Sequence, residues 1–278
     1  MTRFAACFLL VFGQLAFGGL FALAIPPFFN VERGFYKSSA SVYLSAALAT
    51  GGGLALLALR GERGEAPSAA ALWAAAATWA LFSIVLAAYL YTLWSDQVRL
   101  RAQTFAAALV TGMVAVVATA VMLEPAGFGA IGGLVYAMTA LGGAAALGLS
   151  SGAMLLGHWY LIDPNMPVDY LRSFIRMLGY ALVAYVAALV LASGLLAVGA
   201  GTQGAAAIAT LTGSHYSLLA MRMLLGPLAA LVLTWMCWQT LKVPQTMAAT
   251  GLLYITVLAV LVGEMLGRYV MFRTAVPL

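Results

Sequence analysis

The chain is a series of long apolar segments separated by short polar ones. A helix that spans a bilayer needs about 20 mostly apolar residues, and eight segments meet this requirement. Charged residues and prolines concentrate in the separators, where such helices end. The pattern therefore predicts eight transmembrane helices, with both termini on one side of the membrane. The approximate segments are 4–28, 37–59, 69–94, 102–123, 128–161, 168–198, 216–241 and 246–272.

Composition supports a membrane protein. Of the 278 residues, 64% are hydrophobic and only 8% are charged, and the mean hydropathy is +1.03. These values lie far outside the range of soluble globular chains. We expect an all-α integral membrane protein with no soluble domain, arranged as two four-helix bundles, residues 1–124 and 125–278. We expect the lipid bilayer to surround the helices. The sequence shows no basic stripe that would indicate nucleic-acid binding.

The first apolar segment has some features of a signal peptide. Arg3 precedes it, and Ala22-Leu23-Ala24 has the small-residue pattern of a cleavage site. The run is too long for the apolar region of a signal peptide, so we interpret it as the first membrane helix.

The distribution of basic residues bears on orientation. The odd-numbered connections carry seven basic residues and the opposite side carries six. Because cytoplasmic loops are enriched in Lys and Arg, the difference favours termini on the non-cytoplasmic side. The first set is Arg33, Lys37, Arg99, Arg101, Arg172, Arg176 and Lys242; the second is Arg3, Arg60, Arg63, Arg222, Arg268 and Arg273.

Alternation of the helices determines which polar groups can meet. His158 ends helix five and His215 begins helix seven, so the two histidines should lie near opposite faces, about 30 Å apart. One haem ligated by both is therefore not expected. The same reasoning separates Cys7 from Cys237, and neither the number nor the spacing of the cysteines indicates a metal site or a disulfide.

The last apolar segment contains an ionisable pair, Glu264 and Arg268, in the favourable i,i+4 order. Arg222 in the neighbouring helix seven can complete a triad, and His215 and Tyr216 belong to the same face. Ionisable groups at membrane depth are costly and usually face the bundle interior. Two interpretations remain: a buried ion network that fixes helix register, and quinone or proton chemistry.

Three further features accompany this cluster. Gln14 follows Phe12-Gly13 in helix one and serves either as an interhelical hydrogen-bonding group or as a hydrogen-bond partner for a quinone. Pro227 predicts a bend in helix seven just past Arg222, which would open space at the cluster. Residues 199–214 carry no charge and predict a loop folded back on the protein.

A second group of polar residues belongs to the opposite face. It is a secondary candidate for proton transfer or lipid head-group contact, and ordinary interfacial anchoring is the alternative. Its members are His158, Asp163, Arg172 and Arg176.

Taken together, these motifs resemble a known family. They are Phe12-Gly13-Gln14 with Gly18-Gly19 in helix one, Arg222 near the start of helix seven, and Gly263-Glu264 with Gly267-Arg268 in helix eight. In this the chain is similar to the membrane-anchor subunit of DMSO reductase and to NrfD-like (polysulfide reductase-like) integral membrane subunits.

The resemblance implies quinone-linked electron transfer by a complex in a bacterial inner membrane. Such an anchor carries no covalently bound cofactor and binds a quinone near one membrane face. It docks an iron–sulfur subunit, which exchanges electrons with a catalytic, molybdenum-containing subunit. The iron–sulfur cluster is thus expected only in the partner.

The entry to helix three departs from the family pattern. The family has a carboxylate there, whereas this chain has Ala66-Pro67-Ser68, and Glu62 and Glu65 upstream are not an evident substitute. Either quinone chemistry takes place at the cluster of helices seven and eight, or the subunit only anchors its partners.

Two other classes of function stay open. A transporter or channel would use the ion network as its substrate path, and a monohaem cytochrome b would use His158 or His215 with another ligand. The sequence offers no nucleophile–base pair and no set of metal ligands, so we predict no catalytic residue and no activity for the chain alone.

Overall fold

The structure is a computed structural model that describes residues 2–60, 68–125, 127–243 and 245–278, without the side chains of residues 2 and 3. A π-helical turn, Leu224–Leu228, joins α8 to α9. The α-helices are α1 Thr2–Ala22, α2 Arg33–Arg60, α3 Ala69–Thr92, α4 Val98–Met122, α5 Gly129–Trp159, α6 Asp169–Gly199, α7 Gly201–Gly213, α8 Tyr216–Met223, α9 Ala229–Lys242 and α10 Thr246–Thr274.

Eight stretches of these helices are long and apolar enough to cross a membrane, and the seventh runs through α8, the π-helical turn and α9. The predicted all-α membrane class is therefore confirmed. The largest difference is at the first span, which ends at Ala22 rather than near residue 28. Pro26 and Pro27 explain this difference, because the residue before a proline disfavours helical geometry and the chain already turns from Leu23.

Helix α5 lies at the centre of the molecule and packs against α1, α4, α6 and α10. Its crossing with α1 is very close: a Cβ at Gly18 or Gly148 would overlap the backbone of the other helix. Without a hydrophobic drive between helices in lipid, such close backbone packing is a main source of association. This contact joins the two halves of the chain, and their division into separate bundles at residue 124 stays a prediction.

The connection between the sixth and seventh spans is not the predicted loop. Residues Gly201–Gly213 form α7, which packs against α6 and α10. Gly201 turns the chain at a positive φ of 60°, and the following Gly-Ala-Ala-Ala run contains the residue with the highest helix propensity. The absence of charge in residues 199–214 indicated that the segment lies against the protein, but an uncharged segment can form a helix as well as a loop.

Candidate functional site

Glu264, on α10, is the centre of a buried polar cluster. Its side chain is fully buried and accepts hydrogen bonds from four side chains. Tyr185 and Arg222 donate to Oε1, each at 2.6 Å. Gln14 and Arg268 donate to Oε2, at 3.1 and 3.3 Å. These residues belong to the first, sixth, seventh and eighth spans, so one carboxylate connects four membrane helices. We call these five residues the Glu264 network.

Arg222 makes the tightest contacts in the network. Its Nη2 donates to Glu264 and also to the Tyr185 hydroxyl, at 2.7 Å. The guanidinium group fits because glycines surround it: a Cβ at Gly226 or Gly263 would overlap Nη1. Glycine is thus required here for the approach of a large side chain to backbone.

The predicted opening at Pro227 is filled by this arginine. The π-helical turn Leu224–Leu228 contains Pro227, which lacks the N–H that a regular α-helix would use. π-Turns are common where a helix accommodates a functional or inserted group. In this chain the irregular turn lies directly after Arg222 and carries Gly226 against its guanidinium.

Arg268 is held more loosely. Its Nη2 lies 3.3 Å from Glu264 and 3.4 Å from the Thr139 carbonyl, and Nη1 lies 3.8 Å from the Met271 sulfur. Since strong charge-assisted bonds are about 2.7–2.9 Å long, Arg268 is the weaker of the two cationic partners. The network contains two buried guanidinium groups and one carboxylate, so with all three ionised its formal charge is +1.

The spaces around the network differ in size and chemistry. A cavity of about 10 Å³ adjoins Gln14 and Arg268, which is far too small for a quinone ring. A groove of about 280 Å³ lies between α1 and α10 and has an almost wholly apolar lining, in which Tyr269 carries the hydroxyl. The lining residues of the groove are Phe4, Cys7, Leu261, Val262, Met265, Leu266 and Tyr269.

His215 and Tyr216 do not join the Glu264 network, contrary to the expected constellation. His215 Nδ1 lies 3.4 Å from the Thr210 carbonyl, and Tyr216 is exposed. Depth explains the separation: Arg222 lies six residues further into its span, about 9 Å at 1.5 Å per residue. Residues on one side of a membrane can therefore still lie one or two helical turns apart in depth.

The secondary group on the opposite face does not form one site. His158 pairs with the Tyr254 hydroxyl at 3.2 Å, and Asp163 accepts from the Asn165 backbone. Arg172 binds Asp169 at 3.0 Å and the Leu241 carbonyl at 2.8 Å.

Arg176 stacks over Trp238. These separate local contacts are typical of residues that anchor helix ends at a membrane surface.

Tyr185 is the network member that the sequence reasoning missed. It is one of three tyrosines in α6 and does not differ from the others by residue type, but its position in a repeat is informative. Leu178, Leu182, Tyr185 and Leu189 are all buried along α6, with the alternating four- and three-residue spacing of a packed helix face. A hydroxyl on that face must find a partner inside the protein.

Several other sequence interpretations can be placed on the structure. Cys7 and Cys237 are both buried and free, in agreement with the expectation that they do not pair. Among the described residues, no group of three or more His, Cys, Asp or Glu side chains is placed to hold a metal ion. Glu62 and Glu65 lie outside the described residues, as does the Arg3 side chain. At the start of α3, Ser68 caps the helix by accepting from the Ala71 N–H.

Fold and site together define a multi-span helical membrane protein with a closed, buried ion network. In comparisons with known proteins, no family model matches this chain and no curated protein matches it significantly.

Proposed function

We propose that this chain is the membrane-anchor subunit of a multi-subunit respiratory oxidoreductase, and that it docks an iron–sulfur subunit. One observation carries the proposal. The motif residues that resemble the anchor family, Gln14, Arg222, Glu264 and Arg268, are far apart in sequence yet meet in one contact network. Gly18 supports the same arrangement at the α1–α5 crossing. Convergence of independent motif positions is what a shared structural site requires.

In this proposal the Glu264 network holds helix register and is not a quinone pocket. Both carboxylate oxygens already accept two hydrogen bonds each. The adjoining cavity of about 10 Å³ leaves no room for a quinone head group. A quinone used by the complex therefore binds outside the network, and the anchor's role is to hold the partner subunits at the membrane.

The geometry gives less support to the two alternatives. A transporter using this ion network needs a path from water to the charges, whereas Glu264, Arg222 and Arg268 are at most 2% exposed at the side chain. A monohaem cytochrome needs a histidine facing a haem-sized space inside the bundle. His158 is exposed on the helix surface, and His215 lies in the connection between α7 and α8.

The decisive experiment is mild-detergent purification of the tagged chain from its native membrane. We expect an iron–sulfur protein and a larger catalytic subunit to co-purify, with quinol-dependent turnover in the complex. The chain purified alone should show neither an iron–sulfur nor a b-haem spectrum. A b-haem absorption band in the isolated chain, or a full-yield preparation without an iron–sulfur partner, would overturn the proposal.

The network also sharpens the proposed orientation. Arg222 and Arg268 lie in the protein interior and should not be counted as loop charges. Arg101 in the other set is also buried, so without these three residues the basic residues stand at six against four. We therefore propose that the loop between α5 and α6 is cytoplasmic and that the termini lie on the other side of a bacterial inner membrane.

Cysteine labelling tests this orientation. Asn165→Cys and Ser214→Cys place thiols on exposed connections at opposite faces, and the native Cys7 and Cys237 are buried. In intact cells an impermeant maleimide should label Ser214→Cys and spare Asn165→Cys until the membrane is permeabilised. The reverse pattern would invert the orientation.

A further inference from the structure

The groove between α1 and α10 lies on a surface of the helices that faces lipid. Both helices contain spans long and apolar enough to cross a membrane. Around the groove, Phe4 and Phe8 of α1 are 60% and 40% exposed, and Leu258 and Val262 of α10 are 59% and 44% exposed. Water is absent from the hydrocarbon core of a bilayer, and an unfilled groove loses the dispersion contacts of its lining. An apolar group from the membrane is therefore the natural occupant of this groove.

The groove follows one face of α10 for about two helical turns. Leu261, Met265 and Tyr269 line it at four-residue intervals, so they form a continuous strip. From Leu261 to Tyr269 the strip extends about 12 Å at 1.5 Å per residue, and the groove has a volume of about 280 Å³. An apolar strip of this length suits a stretch of acyl chain that lies along the helix.

The polar end of the groove lies near the end of α10. Tyr269, whose hydroxyl belongs to the lining, precedes the last residue of α10, Thr274, by five positions. Arg273 follows Tyr269 by four residues, so it lies on the same helix face one turn nearer the membrane surface. Its side chain is exposed, and among the described residues no carboxylate pairs with it. A hydroxyl and an uncompensated positive charge thus follow the apolar strip at the depth where lipid head groups begin.

We propose that this groove binds one anionic phospholipid. An acyl chain lies along the strip from Leu261 to Tyr269, and the Tyr269 hydroxyl and the Arg273 guanidinium donate to the phosphate oxygens. A quinone is a poorer occupant, because its two carbonyl oxygens lie on opposite edges of the ring and each needs a donor, whereas the lining carries one hydroxyl. The proposal does not depend on the proposed anchor function.

Filling the groove tests the acyl-chain site. The full chain is purified in mild detergent, stripped of lipid and incubated with phosphatidylglycerol, and native mass spectrometry counts the lipids that stay bound. Val262→Trp places a large side chain in the groove at a position that is already exposed, and this variant should hold one phosphatidylglycerol fewer than the wild type. Leu258→Trp is the matched control, since Leu258 is exposed one turn deeper on α10 and does not line the groove. Equal lipid numbers for Val262→Trp and the wild type would overturn the proposal.

The head-group contact has its own test. Phosphatidylcholine carries a positive charge that compensates its phosphate, so the wild type should bind phosphatidylglycerol more tightly. Arg273→Gln should reduce this preference about fivefold, as expected for the loss of one basic residue beside an anionic head group. Arg60→Gln is the control, because Arg60 is exposed in the last turn of α2, a span that ends on the same side as α10. An unchanged preference in Arg273→Gln, or displacement of phosphatidylglycerol by an equal amount of ubiquinone, would overturn the phospholipid assignment.

Discussion

Replacing Glu264 with Gln tests whether the carboxylate holds the helices together. The substitution keeps the size of the side chain and removes its charge. All four polar neighbours of Glu264 donate to it. The new amide NH₂ would face the donors Gln14 and Arg268 on one side, or Arg222 and a Tyr185 hydroxyl that must turn to accept on the other. At the same time Arg222 and Arg268 lose their buried counter-ion.

The expected cost follows from this geometry. Removing one partner of a buried ion pair costs about 3–5 kcal/mol, because the other charge is left without compensation. In Glu264→Gln two guanidinium groups are left in that state. At about 2–4 °C per kcal/mol, the thermal midpoint should fall by on the order of 10 °C.

The chain carries its own reporters for this measurement. Cys7 and Cys237 are buried, so a thiol-reactive dye reports their exposure on heating in detergent. Glu124→Gln is the matched control, because Glu124 lies in a connection and accepts from the Phe128 N–H, a bond that a glutamine oxygen can keep. An unchanged midpoint for Glu264→Gln would refute the idea that the carboxylate holds the helices together.

A second comparison separates stability from turnover. The proposed anchor function makes a further prediction: if Glu264 only fixes helix register, Glu264→Gln lowers the yield of the proposed complex but leaves its quinol-dependent turnover per assembled complex near the wild-type value. Loss of turnover in fully assembled complex would instead assign Glu264 to the chemistry. Adding Arg268→Met to Glu264→Gln removes one uncompensated charge and should recover part of the lost midpoint.

The remaining predictions concern single positions, and each is read from the same thermal midpoint. Arg222→Met should destabilise more than Arg268→Met, because Arg222 makes bonds of 2.6 and 2.7 Å and Arg268 makes none shorter than 3.3 Å; equal effects would contradict the assigned contacts. Gly143→Ala should lower the midpoint, since its Cβ would overlap Glu264 and Gln14, whereas Gly251→Ala, with nothing within 4 Å, should not. Ala275→Gly should raise the midpoint by a few degrees, because Ala275 has a φ of 59° and a non-glycine residue there costs about 1–2 kcal/mol; a lower midpoint would argue against this turn.

The membrane spans could be predicted because each depends only on the length and apolarity of one segment of the sequence. Bilayer thickness sets the length of an apolar segment, and backbone groups in lipid must bond within the helix. The same constraint made Glu264, Arg222 and Arg268 stand out, since ionisable groups in such segments turn inward. Their meeting on neighbouring helices followed from the short turn between α9 and α10.

The depth of a residue in the membrane and the neighbour that each helix face contacts were harder to predict from this sequence. His215 and Tyr216 share a side of the membrane with Arg222, but the expected cluster ignored the distance along the helix axis. Gln14 was placed in the right span, yet its contact with Glu264 depends on the α1–α5 crossing. That crossing is set by the packing of Gly18 against Gly148, a choice among many small residues that periodicity alone does not make.

Each carboxylate oxygen of Glu264 already accepts two hydrogen bonds, and this limits the chemistry that the network can perform. A proton acceptor for quinol needs a free lone pair directed toward the substrate, and a quinone oxygen needs a donor with no competing partner. Both carboxylate oxygens of Glu264 already accept hydrogen bonds from donors of this chain. The two shortest of these bonds come from Tyr185 and Arg222, which also bond to each other. Using the carboxylate in catalysis would therefore break the contacts that join the sixth, seventh and eighth spans. A carboxylate that would have to break these helix contacts in order to react is better suited to hold the helices in register. The glycines that make room for the Arg222 side chain support the same structural role.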